Sequence, residues 1–366
     1  MKFNAKQLDV INATEPKILC IAASSSGKTA VLTERIRQLV KKGVAPKDIV
    51  AITFTRLAAA EMRQRLDDVS TDEMFIGTVH SYALKVCGLN EISMYKAIDA
   101  EEYDKILTTA STLPREKYIP VKHLLIDEAQ DLTALEYCFI NKIPTENIFY
   151  VGDTRQTIYA FRGGSDKYLI DKYLDPEFAN YFLTQNYRNP PNILEFANSL
   201  IASHKKYGPE SQAVKKEDGV LRKCYYTKAL NEIDDEREWG QWAILARTNS
   251  EVETIREILN ERDIDNITFK KSDFDNPEEI EKAMKSNAVK VLTIHSMKGQ
   301  EIPNVIVIGA RTHNADERNL AYVAATRAKQ RLYWCSGIPK LEKRKWKKGS
   351  AEYRRKEFED PSMISF

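Results

Sequence analysis

The sequence predicts an α/β protein of two domains, each built on a parallel sheet. Three observations carry this expectation. Short apolar, β-rich runs alternate with helix-like segments along the chain. Most of these runs are near-continuous in apolar residues, as strands buried on both faces of a parallel sheet are. They fall into two series of five or six, and 366 residues with 43% hydrophobic content can bury two cores of ordinary size.

The first series is "ILCIA" (18–22), "IVAITF" (49–54), "MFIGTV" (74–79), "HLLID" (123–127) and "NIFYVG" (147–152). The second is "NYFLT" (180–184), "VLRKCYY" (220–226), "WAILA" (242–246), "VKVLTI" (289–294), "NVIVIG" (304–309) and "QRLYWC" (330–335). The join is expected near residue 178, with a first domain over 1–178 and a second over 179–338. The remainder, 339–366, carries nine Lys or Arg from Lys340 on. It reads either as a solvated basic end or as a nucleic-acid contact.

Net charge does not decide the partners. There are 55 Lys plus Arg against 53 Asp plus Glu, a net +2, so local clusters must do so. No apolar run approaches the length of a membrane span, and "MKFNAKQLDV" lacks the apolar core of a secretion signal. The expectation is a soluble, cytoplasmic protein with no membrane partner. Cys20, Cys87, Cys138, Cys224 and Cys335 form no C-x-x-C pair and read as reduced structural thiols.

Chemistry first shows at "ILCIAASSSGKTAVLTERIRQLV". Strand, loop and helix is the context of a phosphate-binding loop. Gly27 allows close backbone approach, Lys28 suits β- and γ-phosphates, and Thr29 suits Mg²⁺. The amides opening the helix add partial positive charge. The first glycine of G-x-x-x-x-G-K-T is Ala22 here. A serine in this loop at a position needing positive φ would be strained. About a hundred residues on, "HLLIDEAQDL" ends a strand with Asp127, placed to hold Mg²⁺ through water, and Glu128, placed to polarise an attacking water.

At this point the chain resembles the UvrD/Rep/PcrA group of superfamily 1 DNA helicases. The motifs follow in family order: "FNAKQLDVI", the phosphate loop, "ITFTRLAAAEMRQRL", "GTVHS", "IDEAQD", "VGDTRQTIYAFRGG", "NYRNPPNIL", "AILARTN", "VLTIHSMKGQEIPNVIV" and "LAYVAATRAKQRLY". The resemblance implies two tandem RecA-like P-loop NTPase domains, with ATP and Mg²⁺ in the cleft between them. It implies that Ser24, Ser25, Ser26, Gly27, Lys28, Thr29 and Ala30 line the phosphates. Gln7 would read the adenine edge, Arg35 would lie close to the nucleotide, Tyr187 would stack near the base, and Glu301 would hold the ribose. Gln156 would sense the γ-phosphate, and Arg188 and Arg327 would reach it from the second domain. Guanidinium forks stabilise the charge that builds on a transferring phosphoryl group, so hydrolysis would be coupled to cleft closure.

The resemblance also implies single-stranded DNA, or tailed duplex, across the top of both domains, with 3′-to-5′ movement. The matching positions are Phe54, Thr55, Arg56, His80, Tyr159, Phe161, Arg162, Thr293 and His295. Aromatic groups there let bases stack without regard to sequence. The resemblance implies DNA rather than RNA, and no feature reads a 2′-hydroxyl.

Departures bear on activity. Ala23 and Ser25 stand where relatives carry glycine, Gln300 and Ile302 where they carry Leu and Phe, and "TFTRLAA" lacks the usual Asn-Lys pair. Ser81 to Asp127 spans 46 positions and Thr248 to Val291 spans 43. Those gaps hold a helix or two, with a short strand in the second, but not full accessory subdomains. The leading expectation is an ATP-dependent single-stranded-DNA translocase and helicase. Its alternatives are a motor subunit that needs a protein partner to unwind, and a clamp on single-stranded DNA that no longer hydrolyses ATP.

Overall fold

The computed structural model of the chain describes residues 2–88, 100–202, 207–234, 238–269 and 277–337. Six runs assemble into a first sheet: β1 (Lys17–Ala22), β2 (Ile49–Thr53), β3 (Phe75–Thr78), β4 (Val121–Ile126), β5 (Thr145–Gly152) and β6 (Ala179–Leu183). Their order in space is β3-β2-β4-β5-β1-β6, and each neighbouring pair is parallel. The core explains the unbroken apolar runs. Leu19, Ile21, Ile52, Leu124 and Tyr150 enter a cluster on one face. Ile18, Cys20, Ala51, Leu125 and Val151 enter another on the opposite face. Side chains alternate across a strand, so a sheet covered on both faces needs apolar residues at every position.

A two-stranded ladder, β7 (Gln185–Asn186) with β8 (Gln212–Ala213), leads to the second sheet. That sheet holds β9 (Val220–Tyr225), β10 (Trp242–Ala246), β11 (Asn266–Ile267), β12 (Val289–Thr293), β13 (Ile302–Ile308) and β14 (Ala328–Ser336). Its order is β11-β12-β10-β13-β14-β9, again with parallel pairs. Leu245, Leu292, Val305 and Leu332 face one cluster, and Trp242, Ile244, Val291 and Ile306 the other. Between Thr248 and β12 lie helices Asn249–Asn260 and Pro277–Lys285 with β11, in keeping with the short gap. The five cysteines are unpaired thiols.

One expectation is corrected. "NYFLT" belongs by sequence order to the second series, yet β6 pairs with β1 from Ile18↔Ala179 to Ala22↔Leu183. An apolar run marks a strand without saying which sheet receives it, and here β6 covers the otherwise open edge of β1. The chain leaves the first sheet after Leu183, beyond the expected join at 178. The basic end, 339–366, lies outside the described residues.

Parallel topology has one consequence for the site. β12 and β13 both pair with β10, so the chain must return from the carboxyl end of one to the amino end of the other. Segment Ile294–Glu301 makes that crossing without a regular helix, closed by bonds from Met297 N to Thr293 O, Lys298 N to His295 O and Gln300 N to Met297 O. It lies against the first domain: His295 Nε2 is 3.1 Å from the Ile158 carbonyl. Ile158 itself is buried among second-domain residues. Helix Ala315–Ala325 joins the same contact, Asn319 Nδ2 donating to Thr157 O at 3.1 Å.

Candidate active site

Three adjacent strands of the first sheet, β4, β5 and β1, end at one place. Beyond β1 come the phosphate loop and helix Lys28–Lys41, beyond β4 come Asp127 and Glu128, and beyond β5 comes Gln156. The carboxyl ends of parallel strands are where such sheets gather ligand groups. The helix is fixed by Val31, Leu32 and Ile36, buried at helical spacing, and it aims its first amides at the loop.

The loop departs from ideal geometry at a serine, as the sequence leads one to expect. Ser25 has φ 55°, in the left-handed region, which costs a non-glycine residue about 1–2 kcal/mol. Gly27 has φ 85°, and a Cβ there would lie 2.8 Å from Gln7 Nε2. Packing from outside imposes this shape. Gln7 Nε2 donates to Ser26 O at 3.0 Å, Asn186 Nδ2 to Ser24 O at 3.0 Å, and the Tyr187 amide to Ser25 O at 3.2 Å. Ser26 Oγ is buried with no partner. A buried orphan hydroxyl beside a glycine cradle and a lysine fits a phosphate group.

Opposite the loop, Lys28 Nζ lies 3.6 Å from Glu128 Oε1. Asp127 Oδ1 accepts the Glu128 amide at 2.9 Å. Glu128 holds φ 51°, a strained conformation that turns its side chain into the cleft. Burial and the adjacent Glu128 charge push the Asp127 carboxyl up. Burial opposes the Glu128 charge as well, but Lys28, Lys298, the Gln130 amide and Arg327 together hold that carboxyl low. These cations keep Glu128 ionised, as a water-polarising group must be. Thr29, at the helix start, and Asp127 are the residues here that suit Mg²⁺. Two ligands leave such a cation dependent on phosphate oxygens and water, its usual manner of binding.

The second half reaches in with two arginines. Arg327 Nη2 lies 3.5 Å from Gln156 Oε1, and Gln156 Nε2 donates to Asp153 Oδ2 at 2.8 Å. Burial, then Arg188, bring the Arg327 guanidinium down to about 9, so it keeps its charge at neutral pH. Arg188 Nη1 is 3.4 Å from Ser24 Oγ and donates to Thr326 O at 2.9 Å. Its Nε donates to Glu301 Oε2 at 2.6 Å.

Beside this centre lies an aromatic group. Phe54 and Tyr159 stack at 4.7 Å between centroids, His295 is 6.0 Å from Tyr159, and Phe161 meets His295 edge-on at 5.2 Å. Phe161 is 70% exposed, which for a large ring amid aromatic neighbours suits stacking rather than core packing.

Comparisons with known proteins identify the family. Residues 3–95 and 100–176 match the UvrD/REP helicase N-terminal domain, and 288–335 match the UvrD-like helicase C-terminal domain. The chain belongs to the UvrD/REP helicase family. Its relatives include the ATP-dependent DNA helicase PcrA of Bacillus subtilis, 25% identical over 361 residues that cover 70% of this chain and 49% of that protein. PcrA of Staphylococcus aureus is 23% identical over 358 residues, covering 69% and 49%. The chain therefore spans about half the length of the curated relatives it matches. No helix among the described residues is long and apolar enough to cross a membrane.

Within this UvrD/REP framework several expected residues are otherwise engaged. Arg35, expected near the nucleotide, is bonded to main-chain carbonyls. Its Nη1 donates to the carbonyls of Val10, Ile11 and Ala13, closing helix Ala5–Asn12, and its guanidinium lies over Phe149. Ala30 has its side chain in the core. Glu301, expected at a ribose, is held by Arg188 and by Lys329 Nζ at 2.6 Å; against the effect of burial, these cations draw its carboxyl down to about 2. Gln7 already caps its own helix with Asn4. Tyr187 is half exposed, its hydroxyl accepting from Asn4 Nδ2 at 2.6 Å.

Thr55 caps helix Arg56–Arg65, and Thr293 caps the turn at Ser296. Burial lowers the His80 and His295 pKa values, which favours neutral rings over cations. Arg162 is exposed and lies within electrostatic reach of His80. Sequence reasoning missed Lys298, Asn186, Asn319 and Lys329. Lys298 was the one with a visible signal: a lone cation in "HSMKGQE" between two segments already assigned to the site.

Proposed function

We propose that this protein is an ATP-dependent translocase on single-stranded DNA, moving 3′ to 5′ and opening duplex as a helicase. The observation that carries the reading is convergence across the two halves. Lys28, Glu128 and Gln156 from the first meet Arg188 and Arg327 from the second, with an aromatic group alongside.

In this reading Lys28 and the loop amides hold the β- and γ-phosphates, and Thr29 and Asp127 hold Mg²⁺, which supplies charge neutralisation. Ser24, Ser25, Ser26 and Gly27 shape the loop. Glu128 takes the proton of the attacking water, Gln156 orients it, and the two arginines stabilise charge on the phosphoryl oxygens. Arg188 must leave Glu301 for this, and the released carboxylate is then available to a ribose. Gln7 and Tyr187 face the base. Phe54, Tyr159, Phe161 and His295 stack bases, while Thr55, Arg56, His80, Arg162 and Thr293 line the strand's path. Residues 1–183 and 184–337 act as the two moving bodies, in a soluble, cytoplasmic protein.

A second reading has its own support. Only short gaps, 46 positions from Ser81 to Asp127 and 43 from Thr248 to Val291, stand where the family resemblance implies accessory subdomains. It would then be a motor that depends on a partner protein for strand separation.

The test is steady-state ATP hydrolysis with and without oligo(dT), with Lys28→Ala alongside. DNA-stimulated hydrolysis lost in the variant is the expected result. Hydrolysis no greater than that of the variant, with DNA binding intact, sinks the motor reading and leaves a clamp. Unwinding of a 3′-tailed duplex by the chain alone would remove the need for a partner.

A further inference from the structure

Cys224 on β9 and Cys335 on β14 stand directly opposite each other, in a parallel register that runs from Arg331↔Val220 to Ser336↔Tyr225. Adjacent strands lie about 4.8 Å apart, inside the range of roughly 4.4–6.8 Å that a disulfide needs between its α-carbons. The two side chains also share a face. The residues just before them, Lys223 and Trp334, both meet Phe196: the Lys223 ammonium lies 4.9 Å from that ring's centroid and the Trp334 ring 5.1 Å. Side chains alternate along a strand, so both cysteines point to the opposite face, where they pack with Trp242, Ile244 and Tyr333. Both are free thiols.

We propose that Cys224 and Cys335 are a dithiol that closes to a disulfide when a peroxide reaches Cys224, bracing β9 against β14. The inference is independent of the function proposed above, since it needs neither nucleotide nor DNA. β9 is the last strand in the order of its sheet, beside β14, so a covalent link there fixes an edge that main-chain hydrogen bonds otherwise hold. The closed loop runs from residue 224 to 335 and contains β10 to β13, and a link across so long a loop restrains the unfolded chain.

The surroundings of the two thiols set the order of events. Cys224 is half-buried and within reach of a small oxidant, whereas Cys335 is buried. Burial, then Cys224 itself, push the Cys335 thiol up, so it keeps its proton. In the first step the Cys224 thiolate attacks a peroxide oxygen. An S–O bond forms, the O–O bond breaks, and the leaving hydroxide becomes water with the proton that Cys224 released. In the second step the Cys335 sulfur attacks the sulfur of the Cys224 sulfenic acid. An S–S bond forms, the S–O bond breaks, and the departing hydroxide collects the proton that burial kept on Cys335. The two thiols give up two electrons and two protons, and hydrogen peroxide becomes two waters.

A plainer role competes with this: buried cysteines serve as small apolar fillers, and the two could meet by packing alone. The test treats the folded full chain with hydrogen peroxide, raised until the exposed Cys138 no longer takes N-ethylmaleimide. Remaining thiols are then capped under denaturing conditions, and the unreduced digest is read by mass spectrometry. The expected result is a linked pair of peptides containing Cys224 and Cys335, two hydrogens lighter than the free peptides together and separated by dithiothreitol. Cys224→Ser should leave Cys335 as a capped thiol. The thermal midpoint of the oxidised chain should rise by about 5 °C or more and fall back on reduction. Recovery of Cys224 and Cys335 in separate peptides, capped or over-oxidised, overturns the inference. A linked pair with an unchanged or lowered midpoint overturns the brace.

Discussion

The two halves contribute to the cleft in different ways. The first supplies Lys28, Asp127, Glu128 and Gln156 from the ends of three neighbouring strands, so backbone pairing alone fixes their spacing. The second supplies Arg188, Arg327 and Lys298 from connecting segments, and each is held by a partner it would have to loosen or share: Glu301, Gln156 and Asp131. A rigid cradle thus faces cations whose seats are negotiable. That difference is what a machine needs if nucleotide is to be bound in one place and felt in another.

The sharpest way to break this contrast is Arg327→Ala. If the second half completes the chemistry, kcat falls about 10³-fold, with ATP still bound by the first half. A loss below about tenfold in steady-state hydrolysis would mean that the cradle works alone. Next in size is Phe161→Ala. Losing the exposed ring should weaken oligo(dT) binding by about 1–3 kcal/mol and leave DNA-free hydrolysis untouched. Anisotropy titrations that show no change would move the strand's path elsewhere.

Scaffold residues sharpen the comparison further. Lys290 is buried in β12, where its ammonium donates to Gly240 O at 2.8 Å and Ser286 O at 2.6 Å. Burial brings its pKa down to about 8 from 10.5. Below pH 8 both folded and unfolded chains hold this proton, and the cost of burying the charge is present in full. Between about 8 and 10.5 the unfolded chain holds the proton that the folded chain has released, so this lysine's contribution to stability improves as pH rises. Urea midpoints for Lys290→Met should lack that rise; parallel curves for the two proteins would refute it. The smallest effect is expected at Ser25→Gly, where relief of the left-handed backbone is partly offset by entropy of the unfolded chain. A gain of about 1 kcal/mol or less should appear in thermal unfolding. Gly27→Ala should act in the opposite sense and more strongly, through its φ and the contact with Gln7.

The contrast also explains what could be read in advance. Elements and residues of the first half were legible because each is written locally: an apolar strand, then Gly27, Lys28 and Thr29, or an apolar strand, then Asp127 and Glu128. That a serine at positive φ in this loop would be strained was legible for the same reason, but not that Ser25 is the one. Partnerships were not. Lys298 meets Asp131 across 167 positions and Asn319 meets Thr157 across 162, and no spacing rule spans such gaps. Arg35 has the composition of a ligand residue, yet three carbonyls at a helix end hold it, since buried acceptors left unpaired would cost more than an open site gains. β6 carried the pattern of a strand but no address. Its place followed from the unpaired edge of β1.

The crossing from β12 to β13 has a mechanical consequence. Thr293 lies level with Ala246, whereas Ile302 lies before the level of Trp242, so the segment descends about 20 Å along the strands. Turns closed by its own hydrogen bonds carry it as far as Gln300, and Glu301 alone completes the passage to β13. It ties His295, which meets the Ile158 carbonyl, to Glu301, which holds Arg188. Because those turns set the spacing of the two contacts, one inserted residue would put the two ends out of phase.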